Sequence, residues 1–553
     1  MDDLEEDIRV TTVTAPEHLG AEPRHRPRTV LAETTGLVVL SALSPLAGLA
    51  VETVLAWRFG TSAVVDAYRV AALVLIFGQQ LFVTSILPFV VVPIFAEHRA
   101  EGNEREAWAV TNSLGLVFLG LGLLIAACLF LFPGPAANLL APGLTGEGRS
   151  IAVFFLRWCS LAFVPLCWSG IACGILYACH IFRVAPMAQL ASNTVLLLAI
   201  VIGGHALGKT SIVIGVLGGA VASTILYGKR LAIVRRECAP DLRVGRVDFR
   251  ALRTLLRLAA PLGVGALAGQ LSGAVVARAV SRLAAGSLAA FGYSWKLGQI
   301  VLLIPSAFST VLFPKLSDIW HSCEPEEFTA NYVKALRSLF FITVPMTCLA
   351  FGLREPIVAI LLQRGAFSVT AGHVTAALFG ILILGAPGGA AVTYLDRMFY
   401  ATQDTTTPVV IDVSCTIFAM ALAPNMALRF GVRGVAFIYM LLPWITSAVL
   451  LGVFQHKRGG FPFTAIARFA IQIATIAAAS TWLAIKAGQL FANITRGGFI
   501  TLAVWLISSA MLTAALYLLA TLQLGLPEAF AFKGYLRRYA RVFHSPRKDG
   551  VCQ

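Results

Sequence analysis

The hydrophobic residues of this chain fall into long runs that are separated by short polar stretches. A helix of roughly 20 apolar residues crosses the hydrocarbon core of a bilayer, and fourteen runs reach that length. They predict spans at 36–58, 67–96, 108–132, 150–177, 184–204, 209–228, 255–280, 286–313, 333–353, 368–399, 405–427, 432–456, 463–488 and 497–523. A membrane β-barrel would instead show short segments of alternating hydrophobicity. The pattern therefore predicts an all-α, polytopic membrane protein.

The second, fourth, eighth and tenth spans are longer than one crossing requires, and we expect them to tilt, bend or protrude. Proline removes a helical hydrogen bond, so prolines inside a span predict a kink. Four of the spans contain such residues: Pro88, Pro93, Pro165, Pro305 and Pro387.

Landmarks of the first half of the chain recur in the second half, in the same order and about 220 residues later. The pairs are Pro93 with Pro314, the Leu-Leu-x-x-Gly runs ending at Gly143 and Gly365, Tyr177-Ala178 with Tyr400-Ala401, and the Gly-Val-x-Gly runs starting at Gly215 and Gly431. The first three pairs are offset by 221 to 223 residues and the fourth by 216. Such an ordered series indicates an internal duplication.

The duplication divides the fourteen spans into six, six and two. Because six is even, both copies enter the membrane in the same orientation, related by a pseudo-twofold axis along the membrane normal. We therefore predict two parallel six-helix repeats followed by two further helices. The predicted segments are a polar tail (1–35), an N-terminal bundle (36–228), a basic linker (229–254), a C-terminal bundle (255–456), the two extra helices (457–525) and a basic tail (526–553).

The distribution of charge predicts the orientation of the chain in the membrane. Only 13% of the residues are charged, and the net charge is +15. Lysine and arginine concentrate in the two tails and the linker, which a fourteen-span topology places on one side. Because basic loops stay in the cytoplasm, we predict a multi-pass membrane protein with both termini cytoplasmic. Membrane lipids are the expected partners of these basic segments, and nucleic acid is not.

Ionisable residues within spans are candidate functional residues, because a charge at membrane depth is costly. Lys296 lies about ten residues, or roughly 15 Å, into the eighth span, too deep to reach water without a wet cavity. Arg69 and Arg157 are further candidates for binding an anionic substrate, with an interfacial position as the alternative. The acidic candidates for coupling to an ion are Glu52, Asp396 and Asp412.

Uncharged amides also lie within the spans. Gln79, Gln80 and Asn193 are candidates for contact with a substrate, although such amides commonly hydrogen-bond between helices instead.

The sequence contains no motif of an enzyme. It lacks a P-loop, and it lacks a Ser/His/Asp or paired-carboxylate arrangement. The ten cysteines form no C-x-x-C pair and no Cys/His cluster with metal spacing. We predict a protein that is not an enzyme and that uses neither a cofactor nor a metal site.

Several segments have the sequence and spacing of a known transporter family. They are LLQRGAFSVTA (361–371), RMFYATQDTTTPV (397–409), the run 284–318, FGTSAVVDAYRVA (59–71) and VVPIFAEHRAEG (91–102). These segments resemble the MurJ/MviN family of lipid II flippases, and the resemblance covers about residues 36 to 525. QRGAF and FYATQDTTTPV are its most specific parts.

The resemblance implies the fold of the multidrug/oligosaccharidyl-lipid/polysaccharide exporter superfamily, with a central cavity that opens alternately to the two faces. It implies flipping of a lipid-linked glycan, either the undecaprenyl-pyrophosphate-linked peptidoglycan precursor lipid II or a related polysaccharide precursor. Cavity arginines would hold the pyrophosphate, and a groove near the last two spans would hold the lipid tail. Proteins of cell-wall or polysaccharide synthesis would be the protein partners.

The chain departs from this family at the cations. The usual Arg-x-x-Gly-x-x-Arg-Asp run of the first span is here Pro45 to Glu52, without either arginine. The second span has Gln79-Gln80 in the region of the usual Arg-Arg pair. Lys296 replaces an arginine, and as a point charge it cannot clamp a phosphate bidentately. Because a buried pyrophosphate needs countercharge, these departures leave the identity of the glycan open.

Two other functions remain open from the sequence. A drug or organic-cation antiporter of the same superfamily would need acidic cavity residues, for which Glu52 and Asp412 are the candidates. A membrane scaffold that has lost transport is favoured by the missing arginines, whereas the intact repeat and Lys296 oppose it.

Overall fold

The computed structural model describes residues 27–238, 265, 267–303, 305, 325–458, 462–492 and 499–534. Within these residues the secondary structure is helical and no strand occurs, as predicted for an all-α protein. Most of the N-terminal tail, most of the basic linker, the Pro314 landmark and most of the C-terminal tail lie outside the described residues.

The first half of the chain forms nine helices within the described residues. They are α1 (Pro27–Phe59), α2 (Ala63–Gly78), α3 (Ile86–Ala100), α4 (Glu104–Leu131), α5 (Pro133–Leu140), α6 (Gly146–Cys159), α7 (Phe163–Ala178), α8 (Val184–Leu207) and α9 (Thr210–Cys238). A π-helical stretch (Gln79–Ser85) joins α2 to α3, and a 3-10 turn (Ser160–Ala162) joins α6 to α7.

The second half repeats this plan and adds two helices. Its described helices are α10 (Leu267–Val280), α11 (Ser287–Val301), α12 (Pro325–Gly352), α13 (Arg354–Leu361), α14 (Val369–Ile383), α15 (Ala386–Ala401), α16 (Thr406–Arg458), α17 (Phe463–Ala492) and α18 (Phe499–Gln523).

Each predicted span has a helical counterpart. Ten helices of the described chain are long and apolar enough to cross a membrane. One of them, Thr406–Lys457, bends at Gly431 and accounts for two predicted spans. The broken helix from α2 to α3, together with α10 and α11, occupies the positions of the remaining three.

The Tyr-Ala landmarks mark the same backbone turn in both halves. Beyond each tyrosine the helix ends at a non-glycine residue with positive φ, His180 (59°) or Gln403 (62°). The amide of that residue donates to the tyrosine carbonyl, at 2.9 Å for Tyr177 and 3.0 Å for Tyr400. The following amide donates to the carbonyl that precedes the tyrosine, which completes a Schellman motif. The duplication is therefore a repeat of backbone geometry as well as of sequence.

The fourth landmark pair has a different register in the structure. Gly431 has φ 61° and ψ −153°, and its counterpart between α8 and α9 is Gly208, with φ 51° and ψ −127°. Only glycine adopts such a conformation without strain. Gly215 instead lies inside α9, where its missing side chain allows the backbone of α8 to approach. The Gly215–Gly431 pairing is therefore wrong as a structural equivalence.

The predicted kinks at Pro165 and Pro387 are confirmed at equivalent places in the two halves. The 3-10 turn that separates α6 from α7 ends three residues before Pro165. The break between α14 and α15 falls at Leu384 and Gly385, immediately before Ala386 and Pro387. A proline has no N–H for the preceding turn, so the helical ladder stops there.

Candidate functional site

A cavity between the two halves consists of two chambers. The N chamber, about 400 Å³ in volume, is lined mainly by α1, α2, α7, α8 and α9. The C chamber, about 690 Å³, is lined mainly by α10, α11, α15 and α16. Glu52, Arg69 and Lys296 line both chambers and therefore stand where the two meet.

Arg69 is neutralised by Glu52 within the first half. Its two terminal nitrogens donate to the two carboxylate oxygens of Glu52, with 2.8 Å between Nη1 and Oε1. The Arg69 guanidinium carbon also lies 5.0 Å from the ring centre of Tyr293 on α11. Gly292 allows this approach, because a Cβ there would lie 2.5 Å from Arg69 Nε. The pair is well buried, with side-chain exposures of 15% and 12%.

Lys296 has no hydrogen bond or ion pair with any residue that the structure describes. The side chain is half-buried and lies beside Gly48 of α1. A Cβ on Gly48 would be 3.2 Å from Lys296 Nζ and 3.6 Å from Asn193 Nδ2, so the two nitrogens flank one small space. An unpaired ammonium next to an amide donor in a cavity is suited to bind an anion.

A row of amides crosses the N chamber. Gln79 Nε2 donates to Gln189 Oε1 at 2.5 Å, and Gln189 Nε2 donates to Asn193 Oδ1 at 3.4 Å. Asn193 Nδ2 then donates to the carbonyl oxygen of Ser44 at 3.2 Å. The row connects the π-helical stretch after α2 with α8 and α1, and its three amide side chains also line the chamber. Gln79 and Asn193 therefore fit both roles that the sequence left open. They hydrogen-bond between helices, and they also form part of the surface that a substrate would contact.

The C chamber is more aromatic and less polar. The rings of Phe291 and Trp295 stack with centroids 6.2 Å apart, and Tyr439 lies edge-on to Trp295 at 6.1 Å. The hydroxyl of Tyr439 hydrogen-bonds with that of Ser272. Asp412 also lines this chamber and adds a carboxylate to its wall.

Arg157 does not line either chamber, and of the two alternatives drawn from the sequence its position fits the interfacial one. It is exposed in the last turn of α6, and its guanidinium carbon lies 5.9 Å from the ring centre of Phe130 on α4. The neighbouring Trp158 is also exposed and contacts the same ring. Arg157 is thus on the outer face of the bundle, where it cannot contact a substrate in either chamber.

Gln80 and Asp396 do not line the two chambers either. Gln80 follows Gln79 directly in the π-helical stretch, so the two side chains point in different directions. Asp396 Oδ1 is buried without a hydrogen bond among the described residues. Asp396 lies in α15, which packs against α16, the helix that holds Asp412.

The two halves are closed against each other at the end where α1 joins α2. Six hydrogen bonds within the described residues cross between the halves there. They join Trp57 to Ala366, Gly60 to Tyr293, Asp66 to both Gly286 and Ala289, Leu139 to Arg278, and Gly143 to Ser281. We call this set the outer closure, because the predicted topology places it on the non-cytoplasmic side.

Asp66 is the residue of the outer closure that sequence reasoning missed. Its carboxylate accepts hydrogen bonds from the amides of Gly286 (2.6 Å) and Ala289 (2.7 Å), at the N-terminus of α11. Asp66 is only 3% exposed. It lies in the first half of the chain, whereas α11 lies in the second half. A carboxylate stabilises a helix N-terminus by binding free amides and opposing the helix dipole. Asp66 therefore fastens α2 of the first half to α11 of the second.

The Leu-Leu-x-x-Gly landmarks meet symmetry-related partners in the outer closure. A Cβ on Gly143 would lie 2.2 Å from the carbonyl oxygen of Ser281, which follows α10. A Cβ on Gly365 would lie 2.3 Å from the carbonyl oxygen of Trp57, near the end of α1. Each half thus packs its repeated glycine on the first helix of the other half, which agrees with a parallel twofold repeat.

Comparisons with known proteins agree with this architecture. A family model described as "Lipid II flippase MurJ" matches residues 55–527. A probable lipid II flippase MurJ of Rhizobium meliloti (strain 1021) is 24% identical over 467 residues, covering 79% of this chain and 83% of the relative. The lipid II flippase MurJ of Burkholderia cenocepacia is 26% identical over 519 residues, covering 90% and 97%.

Solved structures with the same fold include a lipid II flippase MurJ in an inward closed conformation. It matches with a TM-score of 0.73 at 19% identity, covering 88% of this chain and 98% of that one. An inward-facing MATE family multidrug transporter of the MOP superfamily matches with a TM-score of 0.60 at 15% identity, covering 76% and 98%. Because the family model spans both repeats and the added helices, the chain belongs to the lipid II flippase MurJ family.

Proposed function

We propose that this chain flips a polyprenyl-linked glycan across a bacterial inner membrane by alternating access, as a transporter and not as an enzyme. Lipid II, named for its relatives, and a related polysaccharide precursor both fall within this class. The observation that carries the proposal is the unpaired Lys296 at the junction of two chambers between the halves.

The substrate enters the cavity from the cytoplasmic side while the outer closure is intact. Its phosphate binds the ammonium of Lys296, and its sugar hydroxyls bind the amides of Gln79, Gln189 and Asn193. The polyprenyl tail stays in the bilayer, because moving it into a polar chamber would remove it from apolar surroundings. Opening of the outer closure, with closure of the cytoplasmic side, then exposes the glycan to the other face.

Coupling to an ion is assigned to the carboxylates of the second half. Asp412 on α16 lines the C chamber, and Asp396 lies in α15, which packs against α16. Two neighbouring carboxylates favour the binding of a proton or a cation, because either reduces their repulsion. Glu52 is a weaker candidate for this role, since Arg69 already neutralises it.

An antiporter of organic cations fits the cavity less well. Such a substrate needs an uncompensated carboxylate, and Glu52 is paired with Arg69. Within the described lining, Asp412 is the remaining acidic residue of the two chambers. Its negative charge is offset by the unpaired ammonium of Lys296, which also lines the C chamber.

Translocation can be measured with the full-length chain in proteoliposomes that contain a fluorescent polyprenyl-linked saccharide. We expect a faster appearance of the fluorophore at the opposite face than in liposomes without protein. The ligands are lipid II and phosphate-linked or pyrophosphate-linked saccharides without peptide. A chain that binds none of them and moves none of them is a scaffold or carries another substrate, and either outcome contradicts the proposal.

The predicted orientation can be tested by cysteine labelling in intact cells. In a chain without its native cysteines, Pro240→Cys lies in the basic linker and should resist a membrane-impermeant thiol reagent. Thr145→Cys, exposed between α5 and α6, should react readily from outside. The reverse pattern would show that the termini lie outside the cytoplasm.

A further inference from the structure

We infer that the C chamber holds a sugar ring of the substrate, which lies flat against the indole of Trp295. This inference rests on the proposed function, since it specifies where part of a lipid-linked glycan sits in the cavity. Three features of the chamber carry it: an exposed aromatic surface, two amides without protein partners, and glycines that leave space.

Trp295 presents a supported aromatic surface to the C chamber. The residue lines the chamber and is 42% exposed. The ring of Phe291 lies nearly parallel to it, with 17° between the two planes, and Tyr439 meets it edge-on at 84°. Tyr439 is itself fixed by hydrogen bonds with Ser272 on α10. The indole is therefore held in place by its neighbours while the rest of its surface faces the chamber.

Two amide side chains near this surface are available to a ligand. Gln299 lies one helical turn after Trp295 on the same face of α11, and Gln270 lies on α10. Both line the chamber, and neither hydrogen-bonds with a residue that the structure describes. A polyprenyl chain has no group that these amides could bind, whereas the hydroxyls of a sugar both donate and accept hydrogen bonds.

A pyranose ring has the shape and polarity that this site requires. Its C–H groups point away from the two faces of the ring, and its equatorial hydroxyls point outward around the rim. The C–H groups are attracted to the negative face of the indole, while the hydroxyls can bind Gln270 and Gln299. Lys296 follows Trp295 directly and also lines the C chamber, so a phosphate bound there keeps its saccharide close to the indole. Further rings of the same glycan can bind the amide row of the N chamber.

Glycines in the chamber wall leave room for such a ring. A Cβ on Gly269 or Gly298 would meet no atom of the described residues within 4 Å, although both glycines line the chamber. Close helix packing, the usual reason for glycine in a membrane helix, therefore does not explain these two. Because glycine destabilises a helix relative to alanine, its presence at two open positions indicates space that is kept for a ligand.

The inference can be tested by binding to the full-length chain in nanodiscs. The two probes are a polyprenyl pyrophosphate that carries a disaccharide and the same lipid without sugar. Trp295→Leu keeps apolar volume but removes the aromatic face, so we expect about tenfold weaker binding of the disaccharide probe and unchanged binding of the bare lipid. Trp295→Tyr keeps a ring and should restore most of the affinity. Gly298→Leu fills the chamber and should act like Trp295→Leu.

Trp158→Leu provides the matched control. Trp158 is 41% exposed but lines neither chamber, so this variant should bind both probes as the wild type does. An equal loss for the two probes in Trp295→Leu would assign the C chamber to the polyprenyl chain and overturn the inference, as would unchanged binding of both.

A second measurement decides if the Trp295 variants do not fold. In a chain without its native cysteines, the disaccharide probe should protect Gln299→Cys from a thiol reagent, and the bare lipid should not. Equal labelling in the presence of the two probes would overturn the inference. Failure of the wild type to bind either probe would contradict the proposed function itself, which is a different result.

Discussion

Replacement of Lys296 by alanine is expected to weaken binding and transport of the lipid-linked glycan strongly. Lys296 is the cation of the described cavity lining that has no partner among the described residues, so its ammonium is available to the phosphate. The loss of a charge-assisted hydrogen bond costs about 1.5–3 kcal/mol, which corresponds to roughly 10- to 150-fold weaker binding. The measurement is the affinity for a fluorescent polyprenyl-linked saccharide as the probe, together with the translocation rate in proteoliposomes.

Two variants separate a binding defect from a folding defect. Lys296→Arg keeps the charge and should retain measurable binding, although the bulkier guanidinium approaches Gly48 and Asn193 more closely. Arg157→Ala removes a cation of similar sequence depth that lies on the outer face against Phe130, and it should leave transport near wild type. An alanine variant at position 296 that binds the probe as tightly as the wild type would show that the phosphate binds elsewhere.

Hydropathy was sufficient to predict the helices of the described residues, whereas the predicted start of the seventh span and the predicted end of the eighth lie outside those residues. The hydrocarbon thickness sets the length of a span, so each of the fourteen apolar runs has a helical counterpart. The repeat also predicted local backbone, because the turns after Tyr177 and Tyr400 are the same motif. The pairing of Gly215 with Gly431 failed because a match of sequence letters did not identify the residue that makes the turn. Positive φ at Gly208 and Gly431 identified it.

The arrangement of the cavity could not be predicted in the same way. The position of a residue along an apolar helix gives its depth in the membrane but not the direction in which it faces. Arg69 and Arg157 therefore looked alike in sequence, although one faces the cavity and the other the outside of the bundle. The pairing of Arg69 with Glu52 depends on how α1 and α2 are rotated about their axes. No hydrophobic period reports that rotation in helices that are apolar on nearly every side.

The contacts between the two halves could not be predicted from the sequence either. Asp66 and Gly286 are far apart in the chain, and the carboxylate follows a short polar turn that is equally typical of a membrane interface. The repeat predicts that Gly143 and Gly365 are equivalent, but it does not reveal that each packs on the other half. These contacts form only when the two bundles meet, and the outer closure is therefore a property of their packing.

Replacement of Asp66 by alanine is expected to open the outer closure. The carboxylate accepts two amide hydrogen bonds at the N-terminus of α11 and is buried, so its loss leaves the amides of Gly286 and Ala289 without an acceptor. Hydrogen bonds to a charged group contribute about 1.5–3 kcal/mol each, so a loss near 3 kcal/mol is expected. That shifts the equilibrium between closed and open outer ends by roughly 100-fold. The shift is measured as faster labelling of Ile76→Cys, a cavity residue, by an impermeant thiol reagent from outside.

A carboxylate at the opposite end provides the control. Asp404 accepts a hydrogen bond from the amide of Thr407 at the start of α16 and forms an ion pair with Lys457, all within the second half. Burial raises the pKa of Asp404, but the hydrogen bonds from Lys457 and Thr407 outweigh it and lower the pKa to about 2, so the group is charged at neutral pH. Asp404→Ala should not raise labelling of position 76 from outside, whereas Asp66→Asn, which keeps one acceptor, should raise it less than Asp66→Ala.

Equal labelling in Asp66→Ala and wild type would mean that the remaining contacts hold the halves together without this carboxylate. The release of α11 from α2 would then have to begin at the glycine contacts or at Tyr293, which joins the closure to Arg69 in the cavity.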